Sequence, residues 1–241
     1  MRFLHLHHEA RASGDGRGGR KGFTLFEMLV SIGIFTLITS VLLVKNSQFK
    51  GNILITNLAY QIATAVRQAQ SYGVNVRGGA TGSPRGNPFS YTWPYGVHFA
   101  ATNLPSGGVI LPNSFDLFAD KGAADGLYSA AIDGAPIETF RLQQSNTILK
   151  FCWKTSLSPS VDYVCSDTTP VSYLGITFKR PDPAANIYIG LGSPAVGVTK
   201  TSATSVKIIV SSSKAVCKGV QVDSSGQVSV LDPISCSYNG Q

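Results

Sequence analysis

The residues of this chain that could carry chemistry are few, and most of them lie beyond residue 90. There are four cysteines, and His98 is the only histidine outside the first eight residues. The common catalytic strings, a G-x-S-x-G elbow, a phosphate-binding P-loop and an H-E-x-x-H zinc motif, do not occur in the sequence. The sequence therefore predicts no catalytic residues and no cofactor, and we do not expect an enzyme.

The cysteines favour disulfide bonds over a metal site. Four cysteines allow three connectivities, and an even number in an oxidising compartment is typical of disulfides. Pairing Cys152 with Cys165 and Cys217 with Cys236 closes the shortest loops, and we predict these two bonds. A four-cysteine zinc site is the alternative, but no C-x₂-C pair is present to begin one.

Two other groups of residues give weaker signals. Asp120 and Asp125 have the spacing of part of a calcium loop, but residues 121–124 add no side-chain carboxylate, so we predict an ordinary loop and no metal. In a strand, Val97 and Phe99 would share one face and His98 would lie on the other. We therefore predict a solvated or sheet-surface histidine.

Composition indicates a folded chain with an uneven charge distribution. Hydrophobic residues make up 43% of the 241 residues and charged residues 14%, which excludes intrinsic disorder. The formal net charge is +7. Residues 1–22 hold five basic and two acidic residues, or +3, which leaves +4 for the other 219 residues. This remainder is too small to indicate nucleic-acid binding by itself.

An apolar segment from Phe23 to Val44 follows the basic leader. Its 22 residues would form a helix of about 33 Å, enough to cross a bilayer core of about 30 Å. The segment is too long for a cleavable secretory signal, and a buried core helix is seldom apolar on every face. Because basic residues are concentrated before the segment, we predict a single-pass membrane protein with its N-terminus in the cytoplasm and the later residues outside.

Glu27 is the one charged residue in this apolar segment. A carboxylate one turn into a membrane helix costs about 2–3 kcal/mol on insertion scales. Either it is protonated or near the head groups, or it has a cationic partner. The residues themselves leave both interpretations open.

The string Lys21-Gly22-Phe23-Thr24-Leu25-Phe26-Glu27 between a basic leader and an apolar helix resembles the signal of type IV prepilins and type II secretion pseudopilins. Phe26 stands where a branched aliphatic residue is more usual. The resemblance covers about residues 17–72. It implies that a prepilin peptidase and methyltransferase cuts between Gly22 and Phe23 and methylates Phe23. It also implies that Glu27 pairs with the Phe23 amine of a neighbouring subunit during assembly.

This resemblance implies a structural subunit, a minor pilin or pseudopilin, of a type IV pilus or a type II secretion-like filament. The expected partners are other pilin or pseudopilin subunits and an inner-membrane assembly platform. The alternative is a minor pilin that binds DNA for uptake, since basic residues of the later chain could contact phosphates. The candidates for that contact are Lys179, Arg180, Lys207, Lys214 and Lys218.

The pattern beyond the apolar segment predicts an α+β fold, in which a long N-terminal helix packs on an antiparallel β-rich head. We divide the chain into a cleaved leader at 1–22, a helix at 23–72 that is transmembrane to 44 and amphipathic from 45, and a head at 73–241. Gly73 and residues 78–88 are predicted to form a loop. The head resembles that of H-type pseudopilins and minor pilins in Leu174–Lys179 and in the last two alternating runs. The predicted strands are 95–99, 114–119, 137–142, 147–153, 174–179, 186–191, 205–211, 216–222 and 227–231.

Overall fold

A computed structural model of the chain describes residues 22–75, 93–103, 109–110, 112–122, 125–142, 146–155, 162–193, 197–212, 216–232 and 234–238. By its internal contacts the chain divides into two compact units, Met1–Lys45 and Asn46–Gln241. The fold is α+β, as predicted: an apolar N-terminal helix is followed by antiparallel sheets.

The long helix α1 runs from Leu25 to Val74 and so starts and ends two residues later than predicted. Thr24 sets its start, because the Thr24 hydroxyl accepts a hydrogen bond from the backbone N–H of Glu27 at 3.2 Å. This is the bond of an N-cap residue, which satisfies one of the free N–H groups of the first turn.

The predicted loop at Gly73 is wrong, because Gly73 lies in the last turn of α1 and is buried. There the helix approaches the backbone of residue 178 so closely that a Cβ on Gly73 would lie 2.5 Å from the carbonyl oxygen of Phe178. Gly73 thus reflects a close packing contact and not a turn. The rest of the predicted loop, residues 78–88, lies outside the described residues.

Two antiparallel sheets form the head. The elements after α1 are β1 Tyr95–Ala100, β2 Thr102–Asn103, β3 Val109–Ile110, β4 Ser114–Ala119, α2 Ala130–Asp133, β5 Glu138–Arg141, β6 Thr147–Lys154, β7 Val164–Cys165, β8 Val171–Lys179, β9 Asp182–Ser193, β10 Gly197–Ala203, β11 Ser205–Ser211, β12 Cys217–Asp223 and β13 Val228–Leu231. The larger sheet has six strands in the order β10-β9-β8-β1-β4-β5, and the smaller has five in the order β13-β12-β11-β6-β7. A further pair joins β2 to β3.

The core of the head lies between the two sheets and the second half of α1. Ile55, Leu58, Ile62 and Val66 point into it with 0–5% of their surface exposed. They share one apolar cluster with side chains of both sheets. Each such side chain contributes about 1.5–3 kcal/mol when it is fully buried. The second half of α1 is therefore amphipathic, as predicted, and its apolar face packs on the sheets.

Each of the nine predicted runs overlaps an observed strand, but four strands were not predicted. Two of these, β2 and β3, are only two residues long, as is β7. The fourth, β10, has the sequence GVTKTSA and forms the edge of the larger sheet. An edge strand need not carry the apolar alternation by which a strand is recognised in a sequence.

Candidate functional site

The N-terminal segment presents its backbone openly just before α1. Gly22 and Phe23 precede the helix and are exposed. Apart from its chain neighbours, no atom of the described residues lies within 4 Å of the position that a Cβ would occupy on Gly22. The Thr24 cap fixes where the helix begins. The bond between Gly22 and Phe23 therefore lies ahead of the helix, between two exposed residues.

The first half of α1 exposes apolar side chains on all sides. Leu25–Leu43 is a stretch of 19 residues, none of them buried, that is long and apolar enough to cross a membrane. Its hydroxyl groups bond back to helix carbonyl oxygens, Ser31 to Glu27 at 2.7 Å and Thr39 to Phe35 at 2.9 Å. Because these donors are already satisfied within the helix, they cost little in an apolar environment.

Glu27 lies in the first turn of this apolar stretch with its side chain exposed. Thr24 and Glu27 have the spacing of a capping box, in which the acidic side chain would bond back to the cap residue. Only half of the box forms: Thr24 bonds the N–H of Glu27, while the Glu27 carboxylate has no hydrogen bond or ion pair within the described part of the chain. This carboxylate is therefore available to a partner.

A comparison with protein families finds one match at this segment. Residues 17–43 match the model of the prokaryotic N-terminal methylation motif. The chain carries a prepilin-type N-terminus. The motif supports a type IV pilin-like or pseudopilin subunit that a prepilin peptidase processes, and it indicates a structural role and not an enzymatic one. No curated protein and no solved structure matches the chain, so the predicted likeness of the head to H-type pseudopilins stays a prediction.

In the head, the four cysteines form two disulfides. Cys152 and Cys165 are bonded across the paired strands β6 and β7, and Cys217 is bonded to Cys236. These are the two pairs of shortest loop length. With Ile209 the cysteines form a small apolar cluster on the smaller sheet, covered by aromatic and aliphatic residues of the flanking segments. The second bond ties the C-terminal residues 234–238 to β12.

His98 lies on the sheet surface as predicted, on the face of β1 opposite Val97 and Phe99, and aromatic side chains half-bury its ring. The rings of Tyr128 and Tyr173 lie 5.6 and 6.1 Å from its imidazole, centroid to centroid, and its Nδ1 is buried with no hydrogen-bond partner among the described residues. Burial lowers the pKa of His98 to about 4, although the Asp116 carboxylate opposes the shift. The sequence could not show that residues 125–129 fold back over this histidine.

The acidic residues after β4 hold a loop together. Asp133 accepts hydrogen bonds from the backbone N–H groups of Lys121, Gly122 and Ser129 at 2.8–3.1 Å. Asp120, 1% exposed, accepts one from Gly126 at 2.7 Å, and burial raises its pKa to about 6. No three His, Cys, Asp or Glu side chains in the described ranges are arranged to hold a metal ion.

The structure does not bring the predicted DNA-contacting residues together. Lys207 projects between the rings of Tyr163 and Tyr238, 4.0 and 4.4 Å from their centroids, and its burial lowers its pKa. Lys218 forms an ion pair with Asp232. The remaining described candidates are the neighbours Lys179 and Arg180, exposed where β8 turns into β9 on the other sheet, while Lys214 lies outside the described residues.

Proposed function

We propose that this chain is a minor pilin or pseudopilin that joins a type IV pilus or a type II secretion-like filament through α1. The N-terminal methylation motif carries the proposal, because the matched residues 17–43 include a helical stretch, Leu25–Leu43, with no buried residue. Such a surface needs lipid or other apolar helices around it. In this proposal the membrane surrounds that surface before assembly, and the helices of other subunits surround it in the filament.

In this proposal the prepilin peptidase cuts between Gly22 and Phe23 on the cytoplasmic side, and Phe23 is methylated on its new amine. The head lies outside the inner membrane, where two disulfides are compatible with an oxidising compartment. The assembly platform and other subunits would then take up the processed chain. Because the cleavage site lies in exposed backbone before the helix, it is reached without unwinding α1.

Glu27 selects the neighbour in this mechanism. Cleavage creates a cationic amine on Phe23, and Glu27 offers a carboxylate with no partner among the described residues. Between two apolar helices, an ion pair avoids the cost of leaving either charge alone in a low dielectric. Its role is therefore binding between subunits and not catalysis.

The test replaces Glu27 with glutamine and measures processing, membrane insertion and recovery in sheared filaments. We expect Glu27→Gln to be cut and inserted as the wild type is, since the cut lies outside the changed group and an ionic cost is removed. Incorporation into filaments should fall strongly, because removing one partner of a buried ion pair typically costs about 3–5 kcal/mol.

Ser31→Ala is the matched control, one turn further along α1. It removes a hydroxyl that already bonds to a carbonyl oxygen of its own helix, so assembly should be unchanged. Normal filament incorporation of Glu27→Gln would refute the pairing role. Intact-mass measurement on the same samples shows whether the chain has been cut after Gly22. A native chain that keeps residues 1–22 in cells with an active prepilin peptidase would refute the family assignment itself.

DNA capture by the head is a second candidate function, and it rests on the exposed neighbours Lys179 and Arg180 at the β8–β9 turn. Reversing both charges to glutamate should reduce DNA retention and flatten its dependence on salt, because phosphate contacts release counterions. Lys218→Glu is the control, since Lys218 is already paired with Asp232. Unchanged retention in the double variant would leave the head with a structural role only.

A further inference from the structure

Arg141 lies between two clefts at one edge of the larger sheet. The first, of about 240 Å³, is lined by Arg141, Asn146 and four residues of α1: Leu54, Asn57, Leu58 and Gln61. The second, of about 310 Å³, lies beside the paired strands β4 and β5 and is lined by Asn113, Ser114, Thr139, Arg141 and Leu142. All of these residues belong to the unit Asn46–Gln241.

The charge of Arg141 is not used by the head itself. Arg141 is exposed on β5, the last strand of the six-stranded sheet, and no carboxylate of the described residues forms an ion pair with it. Asp116 on the neighbouring strand β4 pairs in register with Thr139 and accepts a hydrogen bond from its hydroxyl. Arg141 therefore lines both clefts, and no described residue accepts a hydrogen bond from its guanidinium.

The other polar groups of the first cleft are neutral and hydrogen-bonding. Asn57 and Gln61 are exposed on α1, one turn apart, and Asn146 is 8% exposed just before β6. None of the three amides hydrogen-bonds to another described side chain or backbone group. Leu54 and Leu58 supply an apolar wall beside them. A guanidinium with amide donors around it and apolar carbon at its side fits a carboxylate with a short aliphatic stem.

We propose that the two clefts around Arg141 form a binding site for a carboxylate group, held by the Arg141 guanidinium and by the amides of Asn57, Gln61 and Asn146. The carboxylate belongs to a small dicarboxylic acid or to an acidic side chain of a polypeptide. The first cleft has room for several waters of about 30 Å³ each, and therefore for such a group with its stem. This inference does not depend on filament assembly.

The experiment titrates the full processed chain in non-ionic detergent with succinate, with neutral succinamide and with an acetylated, amidated tetraglutamate peptide. We expect saturable binding of both carboxylate probes and none of succinamide. A peptide that binds more tightly than succinate assigns the ligand to a polypeptide, and equal affinities assign it to a small acid; either result supports the site. Absence of saturable binding of both carboxylate probes, or equal binding of succinamide, overturns it.

Variants locate the binding. Arg141→Gln should weaken it about tenfold or more, since a hydrogen bond to a charged group is among the stronger ones. Arg180→Gln removes an exposed arginine at the β8–β9 turn and should leave binding unchanged. Gln61→Glu places a competing carboxylate beside Arg141 and should abolish binding, whereas Gln61→Met should weaken it only slightly. Equal losses in Arg141→Gln and Arg180→Gln, or full binding by Gln61→Glu, would overturn the proposal.

Discussion

The two faces of the six-stranded sheet are stabilised by different chemistry. The inner face, which carries Val97, Phe99 and Ile176, is apolar and packs in one cluster with the second half of α1. The outer face carries His98 and Tyr173, and residues of the segment after β4 cover it. One strand, β1, contributes to both faces in alternation, so the same six residues serve an apolar core and an aromatic layer.

Glycines make the outer layer feasible. A Cβ on Gly190 would lie 2.2 Å from Cε1 of the Tyr173 ring, so Tyr173 lies flat across β9 only because that side chain is missing. Gly126, with φ +79, brings the covering segment against the ring of Tyr188. The comparison indicates that the stability of the inner face depends on apolar volume. The stability of the outer face depends on the placement of aromatic rings and on the protonation of buried acids and bases.

The largest effect should come from the inner face. Ile62→Ala removes a fully buried side chain of α1 from the shared core and should lower the free energy of unfolding of the head by about 3–4 kcal/mol. Ile38→Ala is the matched control, because Ile38 is 51% exposed in the apolar segment and contributes nothing to the head's core. Denaturant unfolding of the full chain in detergent, followed by tryptophan fluorescence, measures both; similar losses would contradict the comparison.

An intermediate effect is expected at the glycine beneath Tyr173. Gly190→Ala should lower the free energy of unfolding by about 1–3 kcal/mol, because the added methyl group must displace a ring that is packed on its other side by His98. Thr199→Ala, at an exposed position of the edge strand β10, should change it by less than about 0.5 kcal/mol. If Gly190→Ala unfolds at the same denaturant concentration as wild type, Tyr173 packs against Gly190 and His98 more loosely than the geometry indicates.

The N-terminal signal could be predicted from the sequence because its information is local. Gly22, Phe23 and Glu27 fall within six consecutive residues, and the apolar length after them needs no knowledge of the fold. The alternation of the main strands was equally local. The clefts around Arg141 and the cover over His98 were not predictable, because they join residues 57 with 141 and 98 with 128, and such contacts exist only once the sheet order is known.

The smallest effect is a pH dependence of the free energy of unfolding, because two groups of the outer face contribute opposite slopes that largely cancel. His98 has its pKa lowered to about 4 in the fold, so between about pH 4 and 6.5 the unfolded chain binds a proton that the folded chain does not, and stability should rise with pH. Asp120 has its pKa raised to about 6, so between about pH 4 and 6 the folded chain binds the extra proton, and stability should fall with pH. The two slopes oppose each other over the same range.

The pH dependence due to either residue can be measured by substituting the other one. Relative to wild type, Asp120→Asn should make the free energy of unfolding rise more steeply between pH 4 and 6, and His98→Phe should make it fall, each by at most about 1.4 kcal/mol per pH unit. The double variant should return the slope close to that of wild type, because both titrations are then absent. Denaturant unfolding at half-unit pH steps measures the slopes. Ile62→Ala on the inner face supplies the control, since removing apolar volume should lower the free energy of unfolding equally at every pH. If Asp120→Asn and His98→Phe also lower it equally at every pH, neither group has the shifted pKa that its burial predicts.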